Sequence, residues 1–167
     1  MAEMTMSSSK VLEMAVKMVP KHYELEVRVL ATDEDIYNPL EDVTYHGKAG
    51  EIVLKGTCGE EWIIPQKKLK KYIHMDGREL VYEDIPSSYI RIQTAPSKDV
   101  TWMVQVPTYI TGSVTTERGD ELKFNREGVE HDTGDWICFC DNDGAPTLDW
   151  GMWVVNGNVI KKTYAPA

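Results

Sequence analysis

Apolar and polar residues alternate with a period of two along much of the chain, which is the pattern of half-buried β-strands. The clearest case is YELEVRVL, where Leu25, Val27 and Val29 share one face and charged residues share the other. The segments SYIRIQT, TWMVQVP, YITGSVTT and DWICFC are further alternating or continuous apolar runs between turn residues. Many short strands of this kind predict a mainly β fold, of the barrel or sandwich type.

One segment near the N-terminus shows helical spacing instead. KVLEMAVKMV follows three serines and ends at Pro20, so it has both a start and a stop signal for a helix. We therefore predict a short N-terminal helix, preceded by a flexible N-terminus of residues 1–10. The apolar residues that recur at the spacing of one helix face are Val11, Met14, Ala15 and Met18.

Turn signals predict two hairpins and one turn of helix. Asn156 and Gly157, between MWVV and NVIKK, predict a tight hairpin because both residues tolerate positive φ. Asp76 and Gly77 predict a second hairpin in the same way. The segment QKKLKKYI has apolar residues three apart, which predicts a single turn of helix after a strand.

The chain contains an internal duplication. The segment from Gly50 to Tyr72 can be laid over the segment from Gly134 to Tyr164, although the second copy carries an insertion, APTLDWG. In both segments a glycine and an acidic residue precede an apolar strand, and a tryptophan strand, basic residues and a tyrosine follow. We therefore predict a β-rich α+β chain of two related small open β-barrels or sheets with a short N-terminal helix.

The predicted boundary between the two copies is the segment APSKD, where proline, serine and charge interrupt the strand pattern. The first β repeat with its helix is expected over 11–95, and the second β repeat over 100–167.

These motifs resemble the PGDYG-type small domain, which is common in proteins of tailed phages and their hosts. AGEIVLKGTCGEEWIIPQKKLKKY matches that pattern well, and TGDWICFCDNDG with WVVNGNVIKKTY matches it more loosely. The resemblance implies a small β domain and a phage or prophage origin. It supplies no catalytic residues.

Charge narrows the choice of partner. The chain carries 27 acidic and 18 basic residues, a net charge of −9, which argues against direct binding to nucleic acid. Acid is concentrated between Thr115 and Asp149, with ten Asp or Glu against three Lys or Arg. This region is either a solubilising surface or a surface that meets a basic partner. The one basic cluster, KKLKK, is interpreted as a solvated face.

Two cysteines are the most conspicuous candidates for chemistry. Cys138 and Cys140 lie two apart in a predicted strand, so they share a face, and buried free cysteines behave as small hydrophobes. We interpret them as core residues, and the alternative is a zinc knuckle with His131. The DNDG segment lacks the remaining ligands of a calcium loop, and the sequence shows no phosphate loop or nucleophile elbow. We expect no catalytic residue, metal or cofactor.

The predicted function is a non-enzymatic phage accessory protein that binds and modulates or inhibits a host protein, one involved for example in defence or nucleic-acid handling. The expected partner has a basic surface, and the expected compartment is the host cytoplasm, since no signal peptide or membrane span is visible. One alternative is a virion decoration protein that forms homo-oligomers through sheet edges. Another is a small-ligand-binding or metal-dependent protein. The predicted partner-binding residues are Asp120, Glu121, Glu127, Glu130, Asp141, Asp143 and, as an aromatic anchor, Trp150.

Overall fold

A computed structural model describes residues 2–116, 118–129 and 132–167. The fold is mainly β, and the prediction of that class is confirmed. The strands are β1 (Ala2–Ser7), β2 (Val16–Pro20), β3 (Glu24–Val29), β4 (Glu34–Asn38), β5 (Val43–Gly47), β6 (Ile52–Lys55), β7 (Glu61–Ile64), β8 (Tyr72–His74), β9 (Ile90–Thr94), β10 (Thr101–Gln105), β11 (Ile110–Thr115), β12 (Glu121–Phe124), β13 (Trp136–Asn142), β14 (Ala145–Val155) and β15 (Tyr164–Pro166). The helices are α1 (Ser8–Glu13), α2 (Gly157–Thr163) and the short 3₁₀ helices Gln66–Lys71 and Tyr82–Asp84.

The chain divides into two compact units. Unit A is His22–Ser97, and unit B combines the residues up to Lys21 with Lys98–Ala167. Unit A has a five-stranded sheet in the order β7-β6-β3-β9-β8 and a separate β4–β5 hairpin. Unit B has a five-stranded sheet in the order β14-β13-β10-β2-β15 and a three-stranded sheet in the order β1-β11-β12. All neighbours in both five-stranded sheets are antiparallel.

The two five-stranded sheets correspond residue by residue, as the duplicated sequence predicts. Leu54 at the centre of unit A and Cys138 at the centre of unit B occupy the same position, each flanked by an apolar residue and a tryptophan. These cross-strand neighbours are Val27 and Trp62 for Leu54, and Met103 and Trp153 for Cys138. Tyr72 and Tyr164 likewise begin the equivalent outer strands β8 and β15. The prediction of two related open sheets is therefore confirmed.

Unit B takes one strand of its five-stranded sheet from the start of the chain. The fourth position of each sheet is filled by β9 in unit A and by β2 in unit B. Although β2 directly precedes β3 along the chain, it pairs with β10 and β15 of unit B, whereas β9 pairs with β3 and β8 of its own unit A. The segment before Lys21 therefore belongs with the second copy, and not with the first copy as the expected range 11–95 implies. The division after Ser97 lies within the predicted APSKD boundary.

The N-terminal segment differs from its prediction in two ways. Residues 2–7, expected to be flexible, form β1, which pairs in parallel with β11. The predicted helix is shorter than its apolar pattern, because α1 ends at Glu13 and Val16–Pro20 is a strand. Met18 is buried on that strand, between β10 and β15. Pairing with two neighbouring strands thus outweighs a local helical pattern only ten residues long.

The hairpin predicted at Asn156 and Gly157 is wrong. Asn156 caps α2 instead, and its side-chain oxygen accepts the Asn158 N–H at 2.9 Å. Asparagine is favoured both in tight turns and at helix N-caps, so this dipeptide alone does not distinguish them. The turn at Asp76 and Gly77 and the helical turn in QKKLKKYI are both confirmed.

Unit B buries apolar side chains on both faces of its five-stranded sheet. One face packs against the three-stranded sheet and α1, with Phe139 near the centre of the cluster. The other face contains Met18, Met103, Cys138 and Ile160. The buried members of the cluster that faces the three-stranded sheet are Val11, Val106, Val114, Phe124, Ile137 and Phe139.

Among the described residues, no helix combines the length and apolar character needed to cross a membrane.

Candidate functional site

An insertion distinguishes the second copy from the first. On β14 the pairing with β13 jumps, because Cys140 faces Thr147 while Phe139 faces Met152. The four residues Leu148–Gly151 therefore have no counterpart on β13. In unit A the equivalent β6–β7 hairpin closes directly, with the Gly56 N–H donating to the Glu60 carbonyl at 2.8 Å. The inserted segment is specific to unit B.

The insertion exposes a tryptophan. Trp150 is 63% exposed, although tryptophan usually buries most of its large apolar surface. Gly151 follows it with φ +84°, a conformation that an L side chain rarely adopts. That glycine lets the chain turn back into register with β13 at Met152.

The insertion forms one wall of a groove in unit B, and the β11–β12 turn forms the other wall. The turn is held by Thr116, whose N–H donates to the Asp120 carbonyl at 2.8 Å and whose Oγ1 accepts the Asp120 N–H at 3.1 Å. The groove has a volume of about 670 Å³. Its lining residues are Thr116, Arg118, Asp120, Leu122, Leu148, Asp149, Trp150, Gly151 and Met152.

The groove has an apolar floor and a charged rim. Leu122, Leu148 and Met152 are half-buried and pack against the core cluster that contains Phe139. The rim residues Arg118, Asp120 and Asp149 are exposed, so two carboxylates stand with one guanidinium. The groove therefore offers apolar contact at its floor and a net negative charge at its rim.

The structure brings two of the predicted partner-binding residues together, since Asp120 and Trp150 both line this groove. Three more are exposed in unit B but do not line it. Glu130 lies outside the described residues. The three exposed residues are Glu121 at the start of β12, Glu127 after its end, and Asp143 in the β13–β14 turn.

Asp141 has partners within its own unit. Its Oδ1 accepts the indole N–H of Trp102 at 2.7 Å, and its Oδ2 accepts the Gly144 N–H at 3.4 Å. The carboxylate is half-buried and stabilises the β13–β14 turn. A charge reversal at Asp141 would therefore disturb that turn as well as the surface charge.

Sequence reasoning missed most of the groove lining. Arg118 and Asp149 belong to charged segments, and sequence does not say which of many charges face one another. The leucines at 122 and 148 and Met152 resemble any half-buried strand residue. The one signal in the sequence that could have located the groove is the insertion APTLDWG. Residues that are present in only one copy are not needed to build the shared sheet, and they are therefore candidates for a functional role.

The cysteines do not form the centre of this site. Cys138 is fully buried in the core, and burial raises the pKa of its thiol well above the usual range. Its interpretation as a core residue is confirmed, while Cys140 is half-buried. The zinc knuckle needs His131, which lies outside the described residues. Within the described part of the chain, no three His, Cys, Asp or Glu residues are arranged to hold a metal.

A second charged cluster lies in unit A around Tyr89. The Tyr89 hydroxyl donates to Glu61, and the Arg28 guanidinium lies 5.1 Å from the centre of the Tyr89 ring. Arg28 also donates to both carboxylate oxygens of Glu34, at 3.1 and 2.5 Å. Desolvation, followed by the hydrogen bond to Glu61, raises the pKa of Tyr89 to about 12. These groups stabilise one another within unit A.

The fold and the site define a mainly β protein of two related units, with a partly apolar, acidic groove in one of them. No known protein family, no curated protein and no solved structure matches the chain. The likeness to the PGDYG-type domain therefore stays a prediction based on the sequence motifs.

Proposed function

We propose that this protein is a non-enzymatic phage accessory protein that binds a host protein through the groove of unit B and thereby inhibits or modulates it. The observation that carries the proposal is the copy-specific insertion, which places exposed Trp150 and Asp149 in one groove with Asp120. The phage setting rests on the resemblance to PGDYG-type domains, and the non-enzymatic role rests on the lack of a catalytic motif in the sequence.

The groove has the features of a protein-binding surface. Trp is enriched among the residues that dominate binding energy, and such residues usually sit inside a ring of less important contacts. Here exposed Trp150 stands beside the charged rim residues Arg118, Asp120 and Asp149. The surrounding acidic region favours a partner with a basic surface, because complementary charge raises the encounter rate.

The proposal is tested by affinity capture from a lysate of the host, with the full-length protein as bait. Capture is compared at about 0.1 M and about 1 M salt, between which the Debye length falls from about 10 Å to about 3 Å. We expect capture to weaken at high salt, and to weaken in the variants Trp150→Ala and Asp120→Asn. Mass spectrometry identifies the captured protein.

Two matched controls accompany these variants. Tyr109→Ala removes an equally exposed aromatic residue of unit B, 68% exposed, that does not line the groove. Glu83→Gln removes an exposed carboxylate of unit A. Both should capture the partner as the unmodified protein does. Capture that changes neither with salt nor with the groove substitutions would refute the proposal.

A further inference from the structure

The groove has a shape and a chemistry that select one class of ligand, and this inference rests on the proposed function. Its apolar floor, Leu122, Leu148 and Met152, is supported from below by the buried core of unit B. An apolar side chain of a ligand that packs on this floor would remove apolar surface from water, and the floor would not have to rearrange to receive it. This favours a ligand with at least one apolar group.

The rim selects a positive charge. Asp120 and Asp149 supply two carboxylates against the single guanidinium of Arg118. A ligand guanidinium would find a carboxylate partner for charge-assisted hydrogen bonds and the exposed indole of Trp150 for a cation–π contact. An anionic ligand would meet Arg118 but would face repulsion from both carboxylates.

The place of the groove in the fold favours an extended chain. Leu122 of the floor belongs to β12, the last strand of the three-stranded sheet, and Leu148 and Met152 of the floor belong to β14, the last strand of the five-stranded sheet. The inserted residues Leu148–Gly151 have no partner on β13. Terminal strands accept an added strand through main-chain hydrogen bonds, and alternate side chains of that strand point to opposite sides.

We infer that the groove binds an extended segment of the partner protein in which basic side chains, arginine above all, alternate with apolar ones. In such a strand the apolar side chains face the floor formed by Leu122, Leu148 and Met152. The basic side chains face Asp120, Asp149 and Trp150.

The test is a titration of the ¹⁵N-labelled full-length protein, followed by NMR amide and indole shifts. The probes are an alternating Arg–Leu peptide, an alternating Glu–Leu peptide and free arginine. We expect the Arg–Leu peptide to shift the signals of Leu122, Asp149 and Trp150, and the other two probes to bind at least about tenfold more weakly. Equal binding of the Glu–Leu peptide or of free arginine would overturn the inference, as would shifts confined to surfaces outside the groove.

Substitutions make the test specific. Trp150→Ala and the double variant Asp120→Asn/Asp149→Asn should each weaken Arg–Leu binding by about tenfold or more, and Tyr109→Ala should not change it. All of these side chains are exposed, so the variants are expected to fold, and far-UV circular dichroism checks this. Unchanged binding in both groove variants would overturn the inference.

The inference and the proposed function fail separately. If the host protein is captured in a salt-dependent way but the Arg–Leu peptide leaves the groove signals unchanged, the inference falls and the proposed function stands. If the peptide binds in the groove but no host protein is captured, the inference is supported and the proposed function falls.

Discussion

Asn125 and Asp135 bind each other's backbone through two buried hydrogen bonds. The Asn125 N–H donates to Asp135 Oδ2 at 2.8 Å, and the Asp135 N–H donates to Asn125 Oδ1 at 2.7 Å. Asp135 Oδ1 also accepts the Gly157 N–H at 3.3 Å. One carboxylate thus joins the end of β12, the start of β13 and the start of α2.

Asp135→Ala should destabilise unit B strongly, because it leaves two buried N–H donors without an acceptor. We expect a loss of about 2–4 kcal/mol in the free energy of unfolding, measured by urea denaturation. The matched control is Glu51→Ala at the equivalent position of unit A. Glu51 is half-buried and accepts the Lys48 N–H, so its replacement should lower the free energy of unfolding by about 1 kcal/mol. Equal losses at the two positions would contradict this account.

The placement of β2 in the sheet of unit B predicts unequal independence of the two units. Unit A, His22–Ser97, contains all five strands of its sheet in one continuous segment, so this fragment should fold alone and give a dispersed NMR spectrum. Removal of residues 1–21 should unfold unit B, because it removes β1, β2 and the buried side chains of Val11 and Met18. A chain of residues 22–167 that keeps the dispersed signals of unit B would contradict the dependence of unit B on residues 1–21.

Burial predicts the order in which the three thiols react. Cys138 is fully buried with a raised pKa, while Cys58 and Cys140 are partly exposed. With a thiol-specific reagent at pH 8, Cys58 and Cys140 should react first, and Cys138 should react only as fast as unit B opens. In the control Cys138→Ala the slow phase should disappear. Early modification of Cys138, located by mass spectrometry, would show that it is not a core residue.

Tyr89 predicts a loss of stability at alkaline pH. Its folded pKa is about 12, above its ordinary value of 10.0, so the folded state holds the phenolic proton more tightly than the unfolded state. The resulting stabilisation is fully present below pH 10 and is lost as the pH rises towards 12. Urea denaturation across that range should show the fall.

The matched variant for this prediction is Tyr89→Phe, which should reduce the alkaline fall in stability. It also removes the hydroxyl that donates to Glu61, so it should cost about 1 kcal/mol at neutral pH. A spectrophotometric titration should show late-ionising tyrosines, because the pKa values of Tyr45 and Tyr164 are raised as well, and the variant should lose one of them. If the variant instead loses a tyrosine that ionises near its ordinary value of 10.0, Tyr89 ionises normally.

Neutralising Asp141 and neutralising Asp143 should change the free energy of unfolding by different amounts. Asp141→Asn weakens the charge-assisted hydrogen bond with the Trp102 indole and should cost about 1–2 kcal/mol. Asp143 is exposed with φ +50°, a conformation that asparagine also tolerates, so Asp143→Asn should stay within about 0.5 kcal/mol. Thermal unfolding of the two variants at equal concentration makes the comparison. A larger loss in Asp143→Asn would reverse our assignment of the turn-stabilising carboxylate.

The sequence alone determined the class of the fold and the equivalence of its two copies. Strands buried on one face, such as β3, alternate apolar and polar residues, and strands buried on both faces, such as β6 and β13, are continuous apolar runs; both patterns are visible without coordinates. The pairing of Gly50 with Gly134 and of Trp62 with Trp153 was likewise visible in the sequence. In the sheets Trp62 lies opposite Leu54 and Trp153 lies opposite the equivalent Cys138, although Trp62 packs against its core and Trp153 is exposed. Gly50 adopts a positive φ, and Gly134 lies too close to the Val106 backbone for a side chain.

Only the tertiary structure decided which sheet each strand joins and which charges share a groove. The segment Val16–Pro20 has a helical pattern, but hydrogen bonds to β10 and β15, residues more than 80 positions away, make it a strand. Asp120 and Asp149 face one groove because an insertion on β14 lies opposite the β11–β12 turn. Such outcomes depend on contacts between distant parts of the chain, and a pattern of neighbouring residues does not contain that information.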